Sequence, residues 1–444
     1  MHTHSYIHRL VNLIEPSKDI LFNMTPEEAA ARVRSGDWQQ IQSIQGQFAI
    51  CAQDGRSVLM ARSIGRPMRY FLAKKVDGPM LVVAERIDEI RRCLEEHGIA
   101  DQFHPSYTRM VPAHHVVRIE LIGCPDPNPR YDRFFTPQRE TLPCDLDAIG
   151  NRYVMALDQA IDRWLDRIGK QEPLGVLFSG GIDSGAVLLT LYHRLLARGE
   201  SPSRLKAFTL RVDGHASDAD QAIAFVQKTG LEMLLEIVDV SSQDLDWKEA
   251  VRTIEDYKSL DVQAATMALG LCHAIRKRYS EWKYLIDGDG GDENLKDYPI
   301  EENSELTIRS VLNNLMLYQE GWGVHAIKHS LVYSGGQSRG HVRSFAPASQ
   351  LGFEGFSPFA VPSVIEIAEA IPFISLTDWS HEKLYALKGE IVRRGIKQIC
   401  GIDMPTFEKR RFQHGAVTRG TFDRLFPVQE EAYREYFLSL WGTR

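Results

Sequence analysis

The sequence predicts an α/β protein: a β-rich N-terminal part, then a doubly wound parallel sheet that continues into a mostly helical C-terminal part. Three observations carry this. Short apolar or alternating runs, broken by turn residues, fill the chain up to about residue 140. From about residue 145 strand-like and helix-like segments alternate, the pattern of a parallel sheet with crossover helices. Two glycine-rich turns bearing carboxylates each follow an apolar strand.

In the first part the runs are QFAICAQ (47–53), SVLMARS (57–63), MRYFLAK (68–74), MLVVAER (80–86) and HHVVRIEL (114–121). Asp54-Gly55, Gly65-Arg66-Pro67 and Asp77-Gly78-Pro79 separate them as turns. Three prolines in Cys-Pro-Asp-Pro-Asn-Pro (124–129) can continue neither a helix nor a central strand. A domain boundary is therefore expected within 125–145, dividing the chain into 1–140 and 141–444.

The second part opens with a helical period over 146–168, with Asp and Arg on the face away from the apolar positions. Strands are expected at 173–178, 205–212, 233–240 and 283–291, and helices at 186–198, 218–230 and 266–279. Further helices are expected at 308–319, 361–371 and 383–395, and 331–344 reads as a loop with extra basic residues. There are no internal repeats.

Composition narrows the class. Hydrophobic residues at 43% and charged ones at 25% match a soluble globular protein long enough for two domains. A net charge of -7 gives no reason to expect nucleic acid or a membrane surface as partner. Six cysteines without CxxC spacing argue against a disulfide framework or zinc site and for a reducing compartment. No leader-like start and no window long enough to span a bilayer is read, so the cytoplasm is the expected location.

The chemistry is concentrated in three segments. Ser179-Gly180-Gly181-Ile182-Asp183-Ser184-Gly185 lies between an apolar strand and a helix. Glycines there let backbone N–H groups surround an anion at the helix N-terminus, and Asp183 is placed to hold Mg²⁺ beside phosphates. The segment lacks the lysine and spacing of a Walker loop, which disfavours γ-phosphate transfer. A glycine pair alone would be an ordinary strand-to-helix turn; the whole heptapeptide is more specific. Gly288-Asp289-Gly290-Gly291-Asp292-Glu293 ends the 283–291 strand. By itself it is a solvated acidic turn, but two such turns after sheet strands meet where open α/β sheets bind ligands. Asp292 is the second Mg²⁺ candidate, and Asp289 or Glu293 a candidate base. Glu408-Lys409-Arg410-Arg411-Phe412-Gln413-His414-Gly415 is a cationic cluster suited to departing pyrophosphate, though an isolated basic loop looks the same.

In this order SGGIDSG, GDGGDE and KRRFQHG resemble the synthetase domain of glutamine-dependent asparagine synthetases, a family that includes β-lactam synthetases and lasso-peptide cyclases. Leu351 to Phe359 is similar to a further family segment, and the likeness covers roughly 145–420. The resemblance implies an adenine-nucleotide α-hydrolase-like domain preceded by a degenerate Ntn-hydrolase-like one. It implies that Ser179, Gly180, Gly181, Asp183 and Ser184 bind the pyrophosphate part of ATP, that the Leu210 backbone meets the adenine, and that Gly288 lines the same pocket. Asp183 and Asp292 would hold magnesium and Lys409 would stabilise pyrophosphate. Asp289 stands where the family keeps a glutamate or a tyrosine, which leaves the base open; Glu354, Tyr318 and Lys383 are lesser candidates.

The family's glutaminase half starts with a nucleophilic cysteine. Here His2 takes that place, and about 45 residues precede Gly46-Gln47-Phe48-Ala49, which resembles an early strand of that half. Glutamine hydrolysis is therefore not expected. The expected reaction is AMP-forming activation of a small-molecule carboxylate, captured by an amine on the same substrate as in β-lactam synthetases. Intermolecular ligation, ammonia-dependent asparagine synthesis, a non-catalytic scaffold and a tRNA-modifying relative are weaker readings. A homodimer is left open.

Overall fold

The computed structural model describes residues 9–442 except 76–77, 122–128, 216, 298–299, 301–306, 314–335 and 408–415. The chain divides into two compact units. The first holds the residues up to Thr136 and takes back the C-terminal end from Phe437. The second runs from Pro137 to Tyr436, short of residues 319–338. Its start lies four residues before the expected boundary of 140/141; the return of the C-terminus had no sequence signal.

The first unit is built on two four-stranded sheets. One joins β1 (Arg9–Asn12), β7 (Gly78–Ala84), β6 (Arg69–Lys75) and β8 (Arg109–Met110) in that spatial order. The other joins β10 (Arg130–Arg133), β9 (His115–Glu120), β5 (Ser57–Arg62) and β4 (Ala49–Asp54). The short pair β2 (Ile20–Leu21) and β3 (Gly46–Gln47) stands apart. Period-2 alternation decides the layers. Val58, Met60, Tyr70, Leu81, Val83, Val117 and Ile119 share one core between the sheets. The alternate residues Phe71, Ala73, Met80 and Val82 pack outward on Ile90, Cys93 and Leu94 of a helix at Ile87–Glu96. A helix at Pro26–Ser35, with a Thr25–Glu28 capping box, covers β4 and β5 on the other side. The C-terminal residues join this unit through Trp441, whose ring lies 5.6 Å from that of Phe103.

The second unit holds a five-stranded parallel sheet in the order β13 (Leu235–Val240), β12 (Leu205–Val212), β11 (Leu174–Leu177), β14 (Tyr284–Ile286), β15 (Glu354–Phe356). Sequential strands run outward from β11 to one edge and then restart at β14 on its other side, so the switch of direction falls between β11 and β14. Helices cover both faces. On one lie α1 (Leu146–Leu165), α2 (Ile182–Ala197), α3 (Ser217–Thr229) and, against α1 and α2, α6 (His381–Cys400). On the other lies α4 (Ser259–Arg278), whose Met267, Leu271, Cys272 and Ile275 pack on Phe208, Leu210 and Val212 of β12. Ala348 of α5 (Gly336–Gln350) completes that core.

Three expectations change. The segment expected as a loop at 331–344 is helical from Gly336. The helix expected from 266 starts at Ser259, and the one expected from 186 starts at Ile182, inside the glycine turn. β1, β2, β8, β10 and β15 were not read as strands.

α1 and α6 cross with their backbones almost touching: a Cβ on Gly395 would lie 2.2 Å from the Gly150 carbonyl oxygen. The Gly395→Ala variant should therefore lose about 1–3 kcal/mol of stability through overpacking, read as a lower melting temperature by thermal denaturation.

Candidate active site

The switch point brings the two glycine turns together. β11 delivers Ser179-Gly180-Gly181 to the N-terminus of α2, and β14 delivers Asp287-Gly288-Asp289-Gly290 to a short helix at Gly291–Asn294. Gly180 (φ 73°) and Gly290 (φ 100°) adopt left-handed backbone that a side chain would strain. The turns are also too close for side chains. A Cβ on Gly288 would lie 2.8 Å from the Ser184 nitrogen, and one on Gly291 would lie 2.2 Å from Asp183 Oδ1.

Ser179 and Ser184 tie the first turn across its mouth, their hydroxyls 3.2 Å apart, while the Gly181 N–H donates to Ser179 Oγ at 3.3 Å. Gly181 caps α2 without a side-chain acceptor, so the helix presents its first-turn amides toward the cleft. The glycines, hydroxyls and helix terminus form a cradle suited to a polyphosphate. Beside it, the Phe178 N–H donates to the Phe208 carbonyl at 2.9 Å. By strand alternation the N–H and C=O of Leu210, two residues on, face the same side, beyond the end of β11. That edge suits the expected contact of the Leu210 backbone with an adenine.

Asp183 and Asp292 converge from the two turns on one point, which the ammonium of Lys388 occupies. Lys388 Nζ donates to Asp183 Oδ2 at 2.6 Å and to Asp292 Oδ1, and lies 3.4 Å from Asp297 Oδ2. Burial opposes the charge on Lys388, but Asp183, Asp292 and Asp297 together hold its pKa well above the usual lysine range. Two carboxylates aimed at a shared cation match the donor set that magnesium takes when phosphates and water complete its shell. Among the described residues no group of three or more His, Cys, Asp or Glu side chains forms a fuller cage.

Deeper in the same turn, Asp287 receives the Ser357 hydroxyl at 2.9 Å and the Asp289 N–H at 3.0 Å. Burial pushes its carboxyl up to about 7. Asp289 is raised well above the carboxylate range, by burial first and then by Asp287, with Ser344 and Arg343 opposing. Burial, with Asp292 next, also raises Glu293. Arg343, fixed by Asp261 at 2.7 Å, is the cation of this cluster.

The site thus brings together Ser179, Gly180, Gly181, Asp183, Ser184, Gly288, Asp289 and Asp292, with the Leu210 edge next to them. Glu354 is not among them. It begins β15 at the opposite, N-terminal edge of the sheet and pairs with exposed Lys283 at 2.8 Å. Lys383 is exposed in the first turn of α6, and the neighbouring lysine that reaches the site is Lys388. Lys409 and Tyr318 lie outside the described residues. Lys388, Arg343 and Ser357 are site residues that the motifs missed. Lys388 left a trace as a charge inside the stripe Leu384, Leu387, Ile391, Val392; Ser357 and Arg343 fell in segments read for other reasons.

The asparagine synthase family model matches residues 155–341, the stretch holding both glycine turns. The chain carries an asparagine synthase domain. The match supports an ATP-using, C–N bond-forming synthase of the amide-forming kind in general. No curated protein shows significant similarity to the chain. Among the described residues no helix is long and apolar enough to cross a membrane. Lys388 and Ser357 both lie beyond the matched stretch of the synthase domain.

Two outcomes follow from this geometry. Gly288→Ala drives a Cβ into the backbone of the first turn, so it should weaken ATP binding by at least about tenfold while the far-UV circular dichroism stays unchanged; calorimetric titration with ATP checks it. Asp287 binds its proton more tightly in the folded state (up to about 7) than unfolded (3.8). Its contribution to stability is thus present below the unfolded value and is lost as pH rises toward 7. Chemical denaturation across pH 4–8 should show Asp287→Asn with a flatter loss of stability than the wild type.

Proposed function

We propose that this chain is an AMP-forming amide synthetase that activates a small-molecule carboxylate with ATP and lets an amine on the same substrate capture it. The observation that carries the reading is the convergence of Asp183 and Asp292 across two touching glycine turns at the N-terminus of α2. Magnesium, which the family typically uses, would be held by those two carboxylates and would supply positive charge beside the polyphosphate. The chain's own part is positional. The Ser179–Ser184 turn binds the pyrophosphate portion, and the absence of a Walker lysine favours attack at the α-phosphate over transfer of the γ-phosphate. The substrate carboxylate, held against the α-phosphate, would displace pyrophosphate. Asp289, its proton affinity raised by burial and by Asp287, is the candidate base for the attacking amine. Lys409 and Tyr318 remain expected contributors on the family resemblance.

An external ammonia supply from glutamine is disfavoured by the state of the thiols. The first unit's described cysteines are Cys51 and Cys93. Burial pushes Cys51 to about 12 and raises Cys93, the reverse of what an attacking thiolate needs. An amine carried by the substrate gains from being held next to the acyl carbon, worth several kcal/mol of the barrier.

Incubation with ATP, Mg²⁺ and a panel of amino-bearing acids should release pyrophosphate and AMP, and mass spectrometry should find a product lighter than its acid by one water. Asp292→Asn should cut that release by about a hundredfold or more. An absolute need for an added amine would replace the intramolecular reading with intermolecular ligation, and release of phosphate with ADP would overturn AMP formation.

A further inference from the structure

Lys388 is the cation that the described residues place on Asp183, beside the phosphate cradle, and the activation chemistry above does not use it. It enters from the protein side. Its side chain is 3% exposed, whereas that of Asp292 is 39% exposed, so a ligand can reach the carboxylates from solvent without passing the lysine. Its position is built into the packing of α6. Gly395 lies two helical turns further along the same face, and its near-contact with Gly150 sets the height of that face above α1. Gly389, next to Lys388, faces Ile182 at the start of α2 and Thr406, a Cβ there meeting them at ordinary contact distances of 3.9 and 3.7 Å. Asp183 comes from the first turn and Asp292 and Asp297 from the second, and all three share Lys388.

We propose that Lys388 is a positioning residue: a resident counter-ion that keeps Asp183 and Asp292 gathered in their phosphate-facing arrangement before any divalent ion arrives. The proposal rests on the reading that these two carboxylates take magnesium. Without Lys388, Asp183, Asp292 and Asp297 would lose the ammonium that they share across the join of the two turns. Their repulsion would spread the join, and a divalent ion would become necessary for the fold as well as for nucleotide binding. With it, the empty site keeps its shape, and magnesium alone binds weakly because one positive charge is already present.

Thermal melts of nucleotide-free protein test this. In EDTA, Lys388→Met should melt about 10 °C below the wild type. Added MgCl₂ should recover most of that loss, while moving the wild type by no more than about 1 °C. Lys388→Arg should stay close to the wild type. Calorimetric titration of Mg²⁺ alone should show at least about tenfold tighter binding to Lys388→Met than to the wild type. A Lys388→Met protein that melts low and gains nothing from Mg²⁺ overturns the proposal, since that is the behaviour of a packing defect. So does one that melts with the wild type. If Lys388→Met fails to fold, the Lys388→Met/Asp292→Asn double variant decides. Recovery of a folded protein supports the proposal, and failure of both overturns it. None of these measurements uses ATP or an acid substrate, so a failure to release pyrophosphate would leave them unaffected.

Discussion

The site depends on how closely two backbones approach at the switch point of the parallel sheet. β11 and β14 are neighbours in the sheet but more than a hundred residues apart in sequence, and their following turns must share a space that admits no Cβ. Glycine at 288 and 291 is therefore a steric requirement of the join, and glycine at 180 one of its left-handed backbone and its approach to Ala222, met at the entropic cost that glycine carries. The return is specific. With the Gly291 backbone against Asp183, Asp292 one residue later shares the Lys388 ammonium with it. One contact thus places both an anion cradle and a cation seat at the carboxyl edge of the sheet, where the fold leaves a crevice.

Electrostatics then constrains the helices. Asp183, Asp292, Asp297, Asp287, Asp289 and Glu293 lie in or beside the join, and carboxylates gathered this way are unfavourable unless cations or protons balance them. Two cations come from elements later in the chain, Lys388 from α6 and Arg343 from α5. Where cations are less direct, at Asp287 and Asp289, the carboxyls hold their protons more tightly instead. The close Gly150–Gly395 crossing and the Arg343–Asp261 bond are the structural supports of this balance, because a cation displaced by an ångström or two no longer neutralises its partners.

The sequence showed the turns and not their supports, for a physical reason. Glycines with carboxylates after an apolar strand announce a constraint that acts locally, so Ser179 to Ser184 and Gly288 to Asp292 were legible. The cations act at long range. Arg343 stands in a helix disguised by Gly336, Gly340 and Pro347, which erase the helical period. β15 is three residues long, too short for alternation to register, so although Ser357 falls inside the family-like segment nothing there marked it as a site residue. Glu354 shows the converse error. It sits in a motif-like segment, but the parallel register with Tyr284 sends it to the far edge of the sheet. The fold class itself was readable because alternation of strand and helix is a property of whole segments.

The grouping of these residues bears on how such a synthetase can change its amine. Every described group assigned to activation belongs to the second unit: the cradle, the two carboxylates, Lys388, and the Asp287–Asp289 pair. Desolvation raises both described thiols of the first unit, Cys51 and Cys93, so on the proposed reading they are not its nucleophile. Activation of the carboxylate and supply of the amine are then separable demands on the chain. The first fixes backbone geometry to within the reach of a Cβ and tolerates little change. The second asks only that a neutral amine and a base meet the activated carbonyl, and on the proposed reading a raised carboxyl such as Asp289, in the same turn as Asp292, is the group for that role.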